Sequence, residues 1–440
     1  MKVFLICPPI RPKMKMDLSS GCLALEAYLR SKERKVDVYR GEVFDTDVFV
    51  KQVKSSRPDI LGMTCDCLNM DYCFALAKIV KKITKNIYIV LGGPQATFLD
   101  RLILERIPWI DAVIRGEGEE TLAEIVDRCE DSEGSVDLTK VQGLSYRNNQ
   151  EVLVNDDRSL IKDLDRLPLP QKDMTQRYVG FDGHTPADEK LFFVETGRGC
   201  SSSCQFCNDV GVWQRKPRQK SVERIIKEVN FFKEHGKAKK FFFRENTFTA
   251  DRSRTMSFCQ HLIRHKVDIE WECGTRVDAV DKNLLKTMKE AGCRSINYGV
   301  ESLSDPILKA MNKGFSSSLA MNVIRETHRA GIMPDYNIIL GYPGETEGTL
   351  AETFHRIEEL GIYGHPDGVQ EFRLVSGSRI YMKMKKLGLV SDDVWFNGCG
   401  GVYDFCKKYY PVHFQNRLSF YEQEIRKLRH SETFLHNRLK

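Results

Sequence analysis

Short apolar runs rich in valine, isoleucine and leucine alternate with amphipathic segments up to about residue 130. The runs predict five strands, at 3–7, 36–39, 59–64, 87–92 and 111–114. Helical periodicity between them predicts helices at about 19–32, 45–56, 69–85, 96–106 and 119–130. Continuous apolar strands separated by amphipathic helices are typical of a parallel sheet covered on both faces. We therefore expect a doubly wound α/β domain over residues 1–145.

A different pattern follows in the second part of the chain. Alternating runs around a polar turn in GLSYRNNQEVLVN predict a hairpin, and the prolines of DLDRLPLP predict a linker, together covering 146–190. Longer βα repeats then predict strands at 191–196, 240–244, 269–275, 295–300, 334–340 and 369–375. Six such units predict a partial TIM-type barrel, (β/α)6, over 191–376, followed by a mainly helical lid or tail over 377–440.

Composition excludes several classes of protein. The chain has 440 residues, 41% hydrophobic and 29% charged, which is typical of a soluble protein with more than one domain. No apolar run approaches the roughly 20 residues of a membrane helix. The fourteen cysteines are not spaced as a disulfide framework, so we expect a cytoplasmic protein. A net charge of +6 without a nucleic-acid-binding motif gives no reason to expect membrane or nucleic-acid partners.

Three cysteines stand out in the stretch FFVETGRGCSSSCQFCND. Cys200, Cys204 and Cys207 form a C-x3-C-x2-C array on the loop after the first predicted barrel strand, at the end where barrel enzymes place their active sites. A four-iron cluster normally takes one thiolate for each iron, so three thiolates would leave one iron open to another ligand. Zinc completed by a distant histidine or by Asp209, and three unconnected thiols, are the alternatives.

The array, with Phe206 directly before its last cysteine and on the first βα loop of a partial barrel, resembles the radical S-adenosylmethionine (SAM) superfamily. The resemblance implies a [4Fe-4S] cluster on the three cysteines. It also implies that SAM is cleaved there to methionine and a 5′-deoxyadenosyl radical, which takes a hydrogen atom from the substrate. The expected partners are a small-molecule substrate and a reductant such as flavodoxin or ferredoxin.

Five further residues match segments that bind SAM in this superfamily. The resemblance assigns Phe206 to the adenine, and Glu245 and Asn246 of FFFRENTFTAD to the SAM amine. It assigns Arg276 of CGTRVDAV to the SAM carboxylate and Glu301 of NYGVES to the ribose hydroxyls. On the residues alone, Arg276 and Glu301 could equally form an ion pair across the barrel mouth.

The α/β domain in front of the barrel resembles the cobalamin-binding branch of the superfamily, chiefly in LGGPQATFLDRLILERIPWIDAVIRGEGEETLAEIV. This implies a Rossmann-like, cobalamin-binding-type domain in which loops 64–71, 92–97 and 116–121 contact cobalamin largely through backbone atoms. The D-x-H-x-x-G motif is absent, and Gln95 stands where many relatives have histidine. Some relatives keep the domain without the cobalamin.

The leading prediction for function is cobalamin-dependent methyl transfer to a carbon centre of a small metabolite. One SAM would methylate the corrinoid and a second would generate the radical. A cobalamin-free elimination, dehydration or rearrangement, with the first domain as scaffold, is the main alternative. RNA methylthiolation and a non-enzymatic metal or corrinoid sensor are further alternatives. No catalytic acid or base stands out, and Cys399 and Cys406 are too few to hold a second four-iron cluster.

Overall fold

The computed structural model describes most of the chain. The described residues are 1–10, 13–14, 20–41, 43–131, 136–178, 190–365, 368–397 and 412–430. Cys399 and Cys406 lie outside these ranges. Across the described helices, none is both long enough and apolar enough to cross a membrane.

One seven-stranded sheet forms the first half of the molecule. Its strands are β1 Lys2–Ile6, β2 Lys35–Val38, β3 Ile60–Thr64, β4 Tyr88–Gly92, β5 Ala112–Ile114, β6 Leu144–Asn148 and β7 Glu151–Val154. Their order is β2-β1-β3-β4-β5-β6-β7. Strands β1 to β5 are parallel, which confirms the predicted doubly wound sheet. The hairpin expected in the connecting segment is β6 and β7, and it extends this sheet antiparallel to β5.

Five helices pack on the two faces of this sheet. They are α1 Ser20–Ser31, α2 Thr46–Ser56, α3 Met70–Ile83, α4 Pro94–Arg106 and α5 Glu119–Asp131. Successive strand residues point to opposite faces. Phe4 and Ile6 therefore pack in a core with α2, α3 and α4, whereas Val3 and Leu5 pack with α1 and α5. The carboxyl ends of the parallel strands are left for loops.

The second sheet has six parallel strands, each hydrogen-bonded to the next along the chain. These are β8 Leu191–Glu195, β11 Lys240–Arg244, β12 Glu270–Thr275, β13 Cys293–Glu301, β14 Met333–Leu340 and β15 Val369–Glu371. The short strands β9 Gly197–Arg198 and β10 Arg218–Gln219 form a separate antiparallel pair beside the first strand. Six sequential parallel strands match the predicted partial barrel.

Helices surround this second sheet. They are α6 Asp209–Val212, α7 Val222–Gly236, α8 Arg252–Arg264, α9 Lys282–Glu290, α10 Asp305–Ala310, α11 Ser317–Arg329, α12 Glu347–Leu360, α13 Arg379–Lys386 and α14 Val412–His430. Short 3₁₀ helices lie at Leu164–Arg166, Lys172–Arg177, Val277–Ala279 and Asp392–Phe396. Several helix starts are fixed locally, since Asp251, Asp281 and Ser316 each accept a backbone N–H of the first turn.

The two halves share a hydrophobic core. The cluster that contains Leu91 and Ala96 of the first sheet and α4 also contains Ile307, Tyr342 and Leu374 from the barrel half. Because these side chains are buried together, the loops at the carboxyl edge of the first sheet are packed against the loops of the second. The functional site is built at this junction.

Candidate functional site: a cysteine loop facing a glycine-lined cavity

The three cysteines lie on the loop that follows β8 and β9. Gly199, directly before Cys200, has φ +86°, and a Cβ atom there would come within 2.9 Å of the Lys216 carbonyl and 3.0 Å of the Trp213 Cβ. Only glycine fits this combination of conformation and close approach. The glycine therefore sets the direction in which the cysteine loop leaves the barrel strand.

Hydrogen-bond donors and a cation lie next to the sulfur atoms. The Ser202 amide donates to the Cys200 sulfur at 3.4 Å, and Arg276 Nη1 lies 3.8 Å from the Cys204 sulfur. Cys204 is buried and the other two cysteines are half-buried. Burial raises the pKa of the Cys207 thiol to about 12, so metal binding there must displace a proton.

This arrangement fits an iron–sulfur cluster better than a single metal ion. Within the part of the chain that the structure describes, no three His, Cys, Asp or Glu side chains converge on one point, as a zinc ion would require. A four-iron cluster instead binds each thiolate through a different iron, so its ligands are spread around it. Donors to sulfur and a nearby arginine suit an anionic cluster.

Three of the residues predicted to bind SAM lie close together. Lys313 connects them: its Nζ lies 3.5 Å from Glu301 Oε1 and 5.7 Å from the centre of the Phe206 ring. The main-chain carbonyl of Lys313 accepts a hydrogen bond from Arg276, whose guanidinium also binds Asp278 at 2.7 and 2.8 Å. The structure therefore brings Phe206, Arg276 and Glu301 together beside the cysteine loop.

Glu301 has an unusual backbone. It is the last residue of β13, it is buried, and its φ is +72°, in the left-handed region that non-glycine residues rarely adopt. Burial raises the pKa of its carboxyl group, which Lys313 opposes. Backbone strain at a buried acid is more common at functional sites than elsewhere.

Glu245 and Asn246 face different ways. The side chain of Glu245 is only 3% exposed, binds Arg254 at 2.6 Å, and accepts hydrogen bonds from Thr196 and Gln219. The amide of Asn246 donates instead to Asp209, two residues past Cys207. Asn246 therefore faces the cysteine loop, whereas Glu245 is held in a buried ion pair behind it.

A cavity of about 300 Å³ separates the carboxyl edge of the first sheet from the cysteine loop. On the side of the first sheet its walls come from α1 and from the ends of β3, β4 and β5. On the barrel side they include Arg198, Asp209, Val212 and Trp213. Ligands of doubly wound sheets bind at this edge, and here the edge opens towards the cluster loop.

Glycines line the cavity at Gly21, Gly62, Gly92, Gly93, Gly116 and Gly118. Gly93 has φ +97°, and a Cβ there would lie 2.7 Å from the Cys65 carbonyl, whereas a Cβ at Gly116 would meet nothing within 4 Å. Where glycines line the cavity, a large flat ligand such as cobalamin can approach the backbone closely. The predicted loops at 92–97 and 116–121 both contribute to this lining.

Gln95 lies beside this cavity but not in its walls. Its side chain is buried, and its Oε1 accepts a hydrogen bond from Ser376 at 2.6 Å. No histidine is among the described residues that line the cavity. The residues present therefore fit a corrinoid held by backbone and shape, without an imidazole ligand from the described chain.

Comparison with known proteins agrees with this site. Residues 194–357 match the Radical SAM superfamily, and residues 19–126 match the B12 binding domain. The chain is 32% identical over 369 residues to an uncharacterized methyltransferase, PH0819, of Pyrococcus horikoshii, which covers 82% of this chain and 79% of the relative. The chain belongs to the radical SAM superfamily, in the group with an N-terminal B12 binding domain.

A second relative and a solved structure are also similar to this chain. The anaerobic magnesium-protoporphyrin IX monomethyl ester cyclase of Cereibacter sphaeroides is 29% identical to this chain. The match covers 69% of this chain and only 50% of the cyclase. The cobalamin-dependent radical SAM enzyme OxsB with aqua-cobalamin bound superposes with a TM-score of 0.70 at 18% identity, covering 89% of this chain and 62% of OxsB. The likeness to OxsB is one of fold.

Several predictions from the sequence are thereby confirmed. The chain is a radical SAM enzyme, and its cofactors are a [4Fe-4S] cluster, SAM and cobalamin. This excludes the non-enzymatic sensor. It also makes a small-molecule substrate and a reductant the general expectation for its partners.

Sequence reasoning missed three residues of this site: Arg198, Trp213 and Lys313. Arg198 precedes the cysteine array in TGRGC, and its position alone could have drawn attention to it. Lys313 lies in a turn far along the chain and reaches Glu301 only through the fold. Trp213 follows α6 and lines the cavity, which no periodicity in the sequence indicates.

Proposed function

We propose that this chain is a cobalamin-dependent radical SAM methyltransferase that methylates a carbon centre of a small metabolite. The observation that carries the proposal is the cavity between the two halves. Its walls include Gly92 of the first sheet and Asp209, two residues past Cys207. The space suited to a corrinoid therefore adjoins the loop suited to the cluster, and PH0819 is itself named a methyltransferase.

The chain's own residues have separate tasks in this proposal. When bound, the cluster and SAM supply one-electron chemistry and cobalamin supplies methyl transfer. Cys200, Cys204 and Cys207 hold the cluster, and the Ser202 amide, 3.4 Å from a cysteine sulfur, offsets part of its negative charge.

The SAM contacts follow from the positions of the remaining residues. Arg276 would bind the SAM carboxylate, because its guanidinium lies 3.8 Å from the sulfur of Cys204. Glu301 accepts from the ribose hydroxyls, and Phe206 packs on the adenine. Asn246 approaches the amine, while Glu245 keeps that segment in place through Arg254.

The test uses protein loaded with iron, sulfide and hydroxocobalamin under anaerobic conditions. We would incubate it with a low-potential reductant, methyl-deuterated SAM and a small-molecule extract. The proposal predicts S-adenosylhomocysteine, 5′-deoxyadenosine and a metabolite that gains the labelled methyl group. Absence of S-adenosylhomocysteine while 5′-deoxyadenosine still forms would overturn it.

A radical reaction without methyl transfer is the second candidate. The similarity to the magnesium-protoporphyrin cyclase, at 29% identity, favours it, because that relative is named for ring formation. Such a reaction would yield a product of unchanged methyl content. The same labelled incubation separates the two candidates.

The proposal also covers the electron donor, the cellular compartment and the division into domains. A flavodoxin or ferredoxin supplies the electrons. Cys65, Cys73, Cys259 and Cys293 are thiols rather than disulfides, which supports a reducing cytoplasm. The division into a corrinoid domain over 1–145, a connection over 146–190, a barrel over 191–376 and a tail over 377–440 is likewise proposed, with β6 and β7 extending the first sheet.

A further inference from the structure

An arginine in front of the cysteine array binds acids from both halves of the molecule. Arg198 Nη1 lies 2.7 Å from Glu117, and its Nη2 lies 2.6 Å from Glu119. Both acids belong to the GEGEE loop of the first domain (116–120), whose last two residues begin α5. The same Nη2 lies 3.0 Å from Glu195, at the end of β8. The side chains of Arg198, Glu117 and Glu119 are only 4–5% exposed. These are charge-assisted hydrogen bonds largely shielded from solvent.

A second arginine completes the network. Arg218 is the residue directly opposite Arg198 in the β9–β10 pair. Like charges placed opposite each other on paired strands repel. Glu117 offsets this, because its Oε2 lies 2.8 Å from Arg218 Nη1 while its Oε1 binds Arg198. The small sheet that leads into the cysteine loop therefore depends on a carboxylate from the other domain.

Arg198 lies close enough to the cysteine array for this network to affect the position of the cysteine loop. Only Gly199, whose φ of +86° fits glycine alone, lies between Arg198 and Cys200. Arg198, Glu117 and Glu119 also belong to the walls of the cavity between the halves. If the GEGEE loop moved relative to Arg198, the start of the cysteine loop would therefore move relative to the cavity.

We propose that Arg198 is a positioning residue that fixes the cysteine loop at a set distance from the corrinoid domain. The inference rests on the proposed function, since it gives the cavity to cobalamin and the loop to the cluster. It goes further in assigning the acidic GEGEE loop to the interface between domains. Its carboxylates bind arginines of the barrel half.

If the Arg198 ion pairs only stabilised the fold, their loss would not change corrinoid binding selectively. The pair between Arg177 and Glu26 provides a matched control. Arg177 pairs with Glu26 of α1, whose side chain is fully buried, while that of Arg177 is 15% exposed. This pair also joins the first domain to the connecting segment, but neither residue lines the cavity. Arg177→Met therefore removes a partly buried arginine from an ion pair with a buried acid, without touching the cysteine loop.

The experiment compares Arg198→Met with Arg177→Met in protein reconstituted with iron and sulfide. The first readout is affinity for hydroxocobalamin. The second, at saturating corrinoid, is the magnetic relaxation of cob(II)alamin caused by the reduced cluster. Dipolar coupling falls with the cube of the distance between two spins, so this signal reports the separation of the two centres.

We expect Arg198→Met to retain its iron, to bind hydroxocobalamin about tenfold more weakly, and to lose much of the relaxation effect. Arg177→Met should melt at a lower temperature than the wild type but match it in both readouts. Wild-type values for Arg198→Met, or equal losses in Arg177→Met, would overturn the proposal.

Removing one partner of a buried ion pair can prevent folding, so Arg198→Lys is measured as well. It keeps the charge but cannot reach three carboxylates at once, and we expect smaller losses in the same two readouts. Wild-type values in this variant would also count against Arg198. Wild-type protein that binds no corrinoid would instead remove the proposed function, and this inference with it.

Discussion

The buried pair between Glu245 and Arg254 allows a sharp prediction for the segment that faces the cysteine loop. Their side chains are 3% and 8% exposed and lie 2.6 Å apart. Glu245→Gln keeps the size of the side chain and its hydrogen bond from Thr196, but it leaves Arg254 charged and buried without its acid. Breaking a buried pair in this way costs about 3 kcal/mol or more.

Arg254 has other contacts that limit how far a second mutation can compensate. It donates to the carbonyls of Thr196, Lys220 and Phe248 at 3.1–3.3 Å. Arg254→Met alone is therefore destabilising, and the double variant should not recover fully. We expect a coupling energy of about 2 kcal/mol between the two positions, near the upper end for residues in direct contact.

The assay is urea unfolding of the four proteins in a double-mutant cycle, without cofactors and under anaerobic reducing conditions. Arg252 and Asp281 provide the control, because both are about half exposed and their pair should be energetically minor. A loss below about 1 kcal/mol in Glu245→Gln, or no coupling, would refute the claim that this pair is a structural anchor.

Three further predictions concern the cluster, SAM binding and pH. Replacing the three array cysteines with alanine should abolish visible cluster absorbance and SAM cleavage; cleavage that survives would remove the array from the mechanism. Glu301→Gln should keep its iron but bind SAM about tenfold more weakly, measured by anaerobic equilibrium dialysis, because a hydrogen bond to a charged group is lost. Burial raises the pKa of Glu345 from 4.5 to about 8. The folded chain therefore holds a proton that the unfolded chain releases, and stability should fall by about 1.4 kcal/mol per pH unit between roughly pH 4.5 and 8. Glu345→Gln should lose this pH dependence of the free energy of unfolding, measured by urea unfolding. An unchanged slope against pH would contradict the assignment of the raised pKa to Glu345.

Much of the architecture could be predicted because it is encoded locally. The strand β4 Tyr88–Gly92 is an apolar run that ends in glycines, so it could be located without knowledge of its neighbours. The cysteine array was equally legible, since its spacing and its place after a strand are properties of one short segment. Local patterns of this kind survive packing.

The unpredicted parts depend on contacts between distant segments. The acids Glu117 and Glu119 could not be paired from the sequence, because their partners, Arg198 and Arg218, lie 79 or more residues away. Lys313 is likewise tied to Glu301 by the turn after α10. Pairing of charges across domains has no periodicity, so it emerges only from the fold.

Glu245 shows that a recognisable segment of sequence does not fix where each of its side chains points. Its place in a recognisable segment predicted contact with SAM, yet its side chain is turned towards Arg254 and Thr196. Asn246, its neighbour, faces the cysteine loop through Asp209. Adjacent residues at the end of a strand point to opposite sides, and the sequence alone does not say which of the two faces the cysteine loop.

The most direct test of the account is the metal content of anaerobically purified protein after reconstitution with iron and sulfide, incubation with hydroxocobalamin and desalting. The visible spectrum is recorded beside the iron and cobalt analysis. We expect about four irons and about one cobalt per chain. Four irons without cobalt would contradict it and leave the first domain as a scaffold for a cobalamin-free reaction.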